Sequence, residues 1–371
     1  MQDYQTICIC GGGGLGHTIS ANISQNGNFR VNLLTGHPLA WSNQIDITDC
    51  NGEIIKGHIK QISSNPKEVI PDADIVLLCV PGYLISQTLT IIAPYIREDT
   101  EVGSVVCSNG FFWIASHILG KEKHLFGFQR VPFISRVKEY GKSAELKGYK
   151  SILKIGGNKN SDVDHLSTFF TQSLKTKTTS LNHYLEATLT NSNPLLHPAR
   201  IYSMFSQLPT EIYDKEFLFY EEWDNYSSEV LLQSDQEFQQ IISRLPIHKE
   251  EIPPLLSYYE SIDVASLTKK IRSIQAFKGI KMAMKPYQKK YKVDYTNRYF
   301  TEDIPYGLLI IKSFGLLLSI DTPLIDQIIL WIQKRMGKEY LVNGTLKGKD
   351  IQNSGIIQNF GINTIEDLYQ L

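Results

Sequence analysis

The run TICICGGGGLGHTISANI, residues 6–23, constrains this chain more than any other stretch. A β-rich segment passes straight into glycines, and Gly11, Gly13 and Gly16 keep the G-x-G-x-x-G spacing before an amphipathic segment opens. In a dinucleotide-binding βαβ unit the first glycine allows a tight turn and the second lets a pyrophosphate approach the backbone. The third lets the helix pack closely on the strand. The N-terminus of that helix then faces the phosphates. The motif follows a predicted strand and opens a predicted helix, which is the context the pattern needs.

The next predicted strand, RVNLLTG, is where an NAD-preferring enzyme carries an acidic residue for the ribose 2′-hydroxyl. Thr35, Gly36 and His37 stand there instead. No carboxylate repels a 2′-phosphate, and Thr35 with His37 offers it partners, so NADP or NAD is expected with NADP favoured. DIVLLCVPG is a near-continuous apolar run, as expected of a parallel strand buried on both faces. EVGSVVCSNG is another, ending in Asn109–Gly110 at the carboxyl edge where cofactor and substrate should meet. Gly11, Gly13, Gly14, Leu15 and Gly16, with Thr35, His37, Val80 and Pro81, are expected to hold the cofactor, and Asn109 to reach substrate. HLFGFQRVPFIS and YKSILKIGG alternate more loosely and are expected to close the sheet. The result is a doubly wound α/β Rossmann domain over residues 1–178.

Composition narrows the partners. A chain of 371 residues suggests two domains at roughly 150 residues each. Its 42% hydrophobic and 20% charged residues are those of an ordinary soluble globular protein. A net charge of −1 provides no field to recruit nucleic acid or an anionic membrane, so neither is expected as a partner. The five cysteines lie in the first third, four of them in apolar runs that read as buried strands in a reducing compartment. Cys8 and Cys10 have no second pair to complete a zinc site, and no metal is expected. YGLLIIKSFGLLLSI is broken by Lys312, is too short for a bilayer and reads as a buried helix. No secretory signal precedes the first strand, and a cytoplasmic location is expected.

From residue 179 to 371 the spacing of apolar residues turns helical, without repeats or a low-complexity linker. An intimate pairing of the two domains is expected, with substrate in the cleft between them. In NSNPLLHPAR, His197 precedes Pro198 and is pushed out of the α region, while proline suits a first helical position. This predicts a helix break that leaves His197 at a helix entrance, with Arg200 one turn later. NRYFTEDIPYGLLIIKSFG offers Arg298 and Asp303 before the apolar helix. The bland readings are a surface salt bridge for Arg298 and a helix N-cap for Asp303. EFLFYEEWDNYSSE is acidic and aromatic, and reads first as a solvated face.

Together the glycine loop, NPLLHPAR, RYFTEDIPYGLL and the ending GKEYLVNGTLKGKDIQNSGIIQNFGI resemble the octopine/nopaline (opine) dehydrogenase family over nearly the whole chain. The resemblance implies a Rossmann domain followed by an all-helical domain like the C-terminal one of 6-phosphogluconate dehydrogenase. It implies NAD(P)H-dependent reductive condensation of an amino acid with an α-keto acid, usually pyruvate. Carried over residue by residue, the family's catalytic histidine falls on His197, its partner aspartate on Asp303 and its substrate-binding arginine on Arg298. QRVPFISR matches a stretch lining the keto-acid pocket, with Arg136 at the expected distance. Gln129 and Arg130 depart from the usual small polar residues there and leave the substrates open.

The chemistry accounts for these residue types. A carbon that accepts hydride leaves a heteroatom in need of a proton, and histidine donates one near neutral pH. A carboxylate such as Asp303 fixes the tautomer. Arginine's planar fork grips a substrate carboxylate; Arg298 is the first choice, Arg136 and Arg200 lesser ones. Small molecules are the expected partners, and monomer and homodimer both stay open. The alternatives are a ketopantoate-type keto-acid reductase, which uses lysine as acid, and a non-catalytic dinucleotide-binding sensor.

Overall fold

The computed structural model describes residues 4–208 and 210–371. They form two compact units, one running through Thr188 and taking back Tyr369–Leu371, the other Leu189–Leu368.

The first unit is built on β1 (Thr6–Cys10), β2 (Arg30–Leu34), β3 (Gln44–Thr48), β4 (Ile54–Ser63), β5 (Ile75–Leu78) and β6 (Glu101–Val105). It adds β7 (His124–Phe128), β8 (Phe133–Glu139), β9 (Ser143–Tyr149), β10 (Leu153–Gly157) and β11 (Thr178–Ser180). Among the described residues these make one sheet in the order β11-β10-β7-β6-β5-β1-β2-β4-β3-β9-β8. The run from β7 to β4 is parallel throughout. β1 and β5, TICIC and IVLL, are buried at every position, as a strand covered on both faces must be. Chain order reverses on either side of β1, so the loops after β1 and β5 open at a topological switch point, where ligands bind in such sheets.

Two details differ from the expected sheet. HLFGFQRVPFIS does not stay on one edge: β7 lies in the parallel run, whereas β8 folds back on β9, and β9 pairs with β3 at the far end. The unit also extends past residue 178, because β11 pairs with β10 and the helix Tyr184–Thr188 follows it.

The second unit is helical, with Asn193–Phe205, Asn225–Ser243, Val264–Ser273, Leu309–Leu317 and Pro323–Met336 as its longer helices. It is not purely so. Two short hairpins, Met284–Tyr287 with Lys290–Val293 and Leu341–Val342 with Thr345–Leu346, interrupt the helices. The helix Leu309–Leu317 buries Lys312, whose ammonium meets Asp326 at 2.6 Å and Thr322 at 3.0 Å. No helix among the described residues is long and apolar enough to cross a membrane.

The predicted break before Pro198 does not occur. The helix starts at Asn193, with Pro194 in its first turn, and runs to Phe205 with both His197 and Pro198 inside it. Pro194 takes the role expected of Pro198. The bond Pro198 cannot donate would have ended on Pro194 itself, within the first turns, where a missing rung costs the helix least. The entrance is anchored by Asn191, whose amide donates to Asp235 at 2.9 Å and to the Pro253 carbonyl at 2.8 Å.

Candidate active site

In the first unit, a cleft of about 560 Å³ opens at the carboxyl ends of β1, β2 and β5. Gly11, Gly12, Gly13, Thr35, His37, Val80 and Pro81 line it. Gly11 lies at φ +128, where a side chain would be strained and a Cβ would stand 2.5 Å from the Cys79 carbonyl oxygen. Gly13 is open on its Cβ side, with nothing within 4 Å, and caps the helix Gly14–Ser24. A phosphate could therefore approach both the bare backbone and the helix end.

Gly14, Leu15 and Gly16 stand behind the cleft. Gly14 faces Ser135 of β8, Leu15 packs on the core, and a Cβ on Gly16 would lie 2.0 Å from the Gly11 carbonyl oxygen. Their part in holding a ligand is confined to the backbone turn they form. A larger groove of about 710 Å³ on this unit is lined by Asp49, Glu53 and several lysines, and it contains none of the glycine loop.

Among the described residues the cleft is lined by no carboxylate, lysine or arginine. Thr35 is not a free partner for a 2′-phosphate, since its hydroxyl lies 3.2 Å from the Tyr140 hydroxyl. His37 is exposed beside it. Tyr140 sits at the tip of the β8–β9 hairpin and was not singled out by the sequence. His17, also unremarked there, ties that tip to the glycine loop. Its Nδ1 lies 2.9 Å from the Gly13 carbonyl, and its Nε2 accepts from Gly141 N–H at 2.8 Å. Burial holds the His17 imidazole below its usual pKa.

Arg136 is exposed on β8, and its guanidinium donates to the neighbouring Ser135 carbonyl. Asn109 is buried after β6, and its Oδ1 has no partner among the described residues. The open face of Gly13 and the helix end fit the phosphates of a dinucleotide.

In the second unit the side chains of His197 and Asp303 meet at 2.7 Å, Nδ1 to Oδ2, and both residues are about 95% buried. Asp303 is not an N-cap: its side chain caps nothing and its backbone is already helical. It stands at the mouth of a π turn, Ile304–Leu308, where the Leu308 N–H donates to the Asp303 carbonyl at 2.8 Å. Such turns are rare and gather at functional sites. Opposite, Gly307 lets the turn close on Pro194, to whose Cβ an added methyl would come within 3.2 Å.

The other imidazole nitrogen is also occupied. Nε2 lies 2.9 Å from the Tyr220 hydroxyl. With Nδ1–H donated to Asp303, Nε2 holds the lone pair and Tyr220 donates to it. Burial pushes the Tyr220 phenol well above its ordinary range, and Asp303 and Tyr299 act in the same direction while Arg298 opposes them. Tyr299 packs on the imidazole with ring centroids 4.5 Å apart.

The two arginines separate sharply. Arg298 is exposed, and its guanidinium has no hydrogen-bond or ion-pair partner among the described residues. Arg200 is 2% exposed and fully committed. It donates from Nε to Phe219 O at 2.9 Å, from Nη1 to Ser227 Oγ at 2.6 Å and from Nη2 to Glu222 O at 2.7 Å. Arg200 is therefore no clamp for a substrate carboxylate; it holds the segment that carries Tyr220.

That segment corrects a second expectation. In EFLFYEEWDNYSSE the carboxylates of Glu222 and Asp224 are solvated, but Phe219, Tyr220 and Trp223 are buried. An apolar pair followed three residues later by tryptophan was the available signal, masked by the acids around it.

A nucleotide-binding parallel sheet followed by a helical unit with a buried histidine–aspartate pair defines an NAD(P)-dependent dehydrogenase. Residues 180–336 match the family described as NAD/NADP octopine/nopaline dehydrogenase, alpha-helical domain, and residues 7–129 match Ketopantoate reductase PanE/ApbA. The chain is 27% identical to octopine dehydrogenase of Pecten maximus over 97% of each chain. It is 28% identical to tauropine dehydrogenase of Arabella iricolor, over 98% of this chain and 99% of that one. A solved structure of octopine dehydrogenase with NADH and L-arginine superposes with a TM-score of 0.87 at 26% identity, over 99% of this chain and 98% of that one. Over nearly its whole length the chain is thus similar to opine dehydrogenases.

Proposed function

We propose that this protein condenses an amino acid with an α-keto acid and reduces the product with NADH or NADPH, with His197 as general acid and base. The observation that carries this is the buried His197–Asp303 pair, with an unpaired arginine, Arg298, five residues before the aspartate. The cofactor, held along Gly11–Gly16 and the cleft, supplies the hydride. Asp303 accepts the Nδ1–H hydrogen bond, orients the ring and stabilises the imidazolium that carries the proton to be delivered. Arg298 grips a substrate carboxylate in its planar fork and so fixes the reacting carbon. Asn109 and Arg136, on the first unit, are the further candidates for contact with the keto acid.

Relatives named for two different opines align about equally well, so the amine is left to experiment. The test is oxidation of NADPH and NADH with pyruvate and other keto acids, each with and without a panel of amino acids. Oxidation that needs both a keto acid and an amine is the expected result. Oxidation without an amine would move the protein to the keto-acid reductases, which the match of residues 7–129 to ketopantoate reductase would then explain. Cofactor binding with no turnover would leave the sensor reading.

A further inference from the structure

Both nitrogens of His197 are spent, Nδ1 on Asp303 and Nε2 on Tyr220. The imidazole therefore meets a substrate only through the Tyr220 oxygen, or after Tyr220 swings away. The surroundings of Tyr220 decide between these. Its ring stacks on Phe277 with centroids 4.0 Å apart and planes 15° apart. It lies nearly parallel to Trp223 at 7° and edge-on to Phe219 at 4.8 Å. The carbonyls of Phe219 and Glu222, on either side of it in sequence, are pinned by the Arg200 guanidinium. Swinging the phenol out would break these ring contacts together, and the pinned carbonyls keep the backbone from carrying it.

We propose that Tyr220 is a catalytic residue, the relay through which His197 delivers its proton to the substrate heteroatom. The inference rests on the condensation–reduction reading above. In the step, the Tyr220 O–H bond breaks as its proton passes to the substrate nitrogen or oxygen. The Nε2–H bond of the His197 imidazolium breaks as that proton refills the phenol oxygen. The electron pair for the new C–H bond comes from the reduced nicotinamide. Imidazole is left neutral and the phenol unchanged. Burial keeps the phenol protonated between turnovers, as a donor must be.

The test compares wild type, Tyr220→Phe, His197→Ala and the double variant, using pyruvate with the amino acid that supports NAD(P)H oxidation. Phenylalanine keeps the ring and its stack. The relay predicts that Y220F lowers kcat by about 100-fold, the usual scale of general acid–base catalysis, with both KM values and NADPH affinity within about two-fold. Groups that act as one unit are not additive, so the double variant should be no worse than H197A. A Y220F enzyme with kcat within about three-fold of wild type, beside a collapsed H197A, would mean that His197 donates directly and would overturn the relay. Should Y220F not fold, single-turnover hydride transfer by wild type in H2O–D2O mixtures decides. Two protons in flight give a bowed dependence on deuterium fraction, and a straight line overturns the proposal. Wild type inactive with every keto acid and amine withdraws the underlying reading, and a wild type and H197A of equal activity withdraws the role of the histidine itself.

Discussion

Replacing Arg200 by methionine tests whether the arginine beside the histidine serves substrate or structure. Three hydrogen bonds donated by a buried cation are each worth about 1.5–3 kcal/mol. Against them stands the burial that lowers the guanidinium from its ordinary range to about 10, which corresponds to about 3 kcal/mol. Methionine has no such desolvation cost, but it leaves two carbonyls and a hydroxyl without their donor. The net loss is about 3 kcal/mol. For a helical unit of this size that lowers the melting temperature by about 6–12 °C. Calorimetry alongside steady-state kinetics provides the assay. The expected result is a lower melting temperature together with a fall in kcat, because Tyr220 loses its support. A variant that melts within about 2 °C of wild type but needs far more keto acid would refute the structural role and restore Arg200 as a carboxylate clamp.

The glycine loop supplies a paired prediction. Gly16→Ala drives a methyl into the Gly11 carbonyl and should cost several degrees of melting temperature, whereas Gly13→Ala has room and should keep wild-type stability while weakening NADPH binding. Equal melting of the two variants would contradict the packing described. Arg298→Ala should raise the KM for the keto acid with little change in melting temperature, and an unchanged keto-acid dependence would remove it from the site. His17 gives a pH dependence. Its folded pKa lies below the unfolded one, so the unfolded chain binds more protons as the pH falls. Stability is full above an unfolded value of about 6.5 and is lost as the pH falls below it, by at most about 1.4 kcal/mol per pH unit. Wild type should therefore lose more melting temperature between pH 7.5 and pH 5.5 than His17→Gln. Parallel losses would show that His17 does not titrate in this way.

What the sequence revealed depended on range. The glycine spacing and the apolar runs of β1 and β5 are local, and their geometry is dictated within a few residues. His197, Asp303 and Arg298 were found through the motifs around them, whereas the contacts of Arg200 could not be. Arg200 and Arg298 offer the same guanidinium; only the burial of one and the exposure of the other separate them, and burial is a property of the packed chain. Tyr220 was hidden for a related reason. Its partner lies 23 residues away, and the acids beside it dominate the pattern. The break predicted at Pro198 failed because a proline rule knows its neighbour but not the second proline four residues earlier, which had already opened the helix.

The π turn at Ile304–Leu308 bears on how freely this stretch of chain can change length. It holds one residue more than an α-helix would spend on the same rise. Removing a single residue between Asp303 and Leu309 would leave a regular helix, comfortable in itself and still apolar on one side. The flanks would keep their phase, because the wide turn absorbs its extra residue locally. Asp303 and the helix Leu309–Leu317 would point as before, and what would go is the wide closure that Gly307 makes on Pro194. A one-residue deletion here is therefore expected to act on that contact rather than on the direction of Asp303.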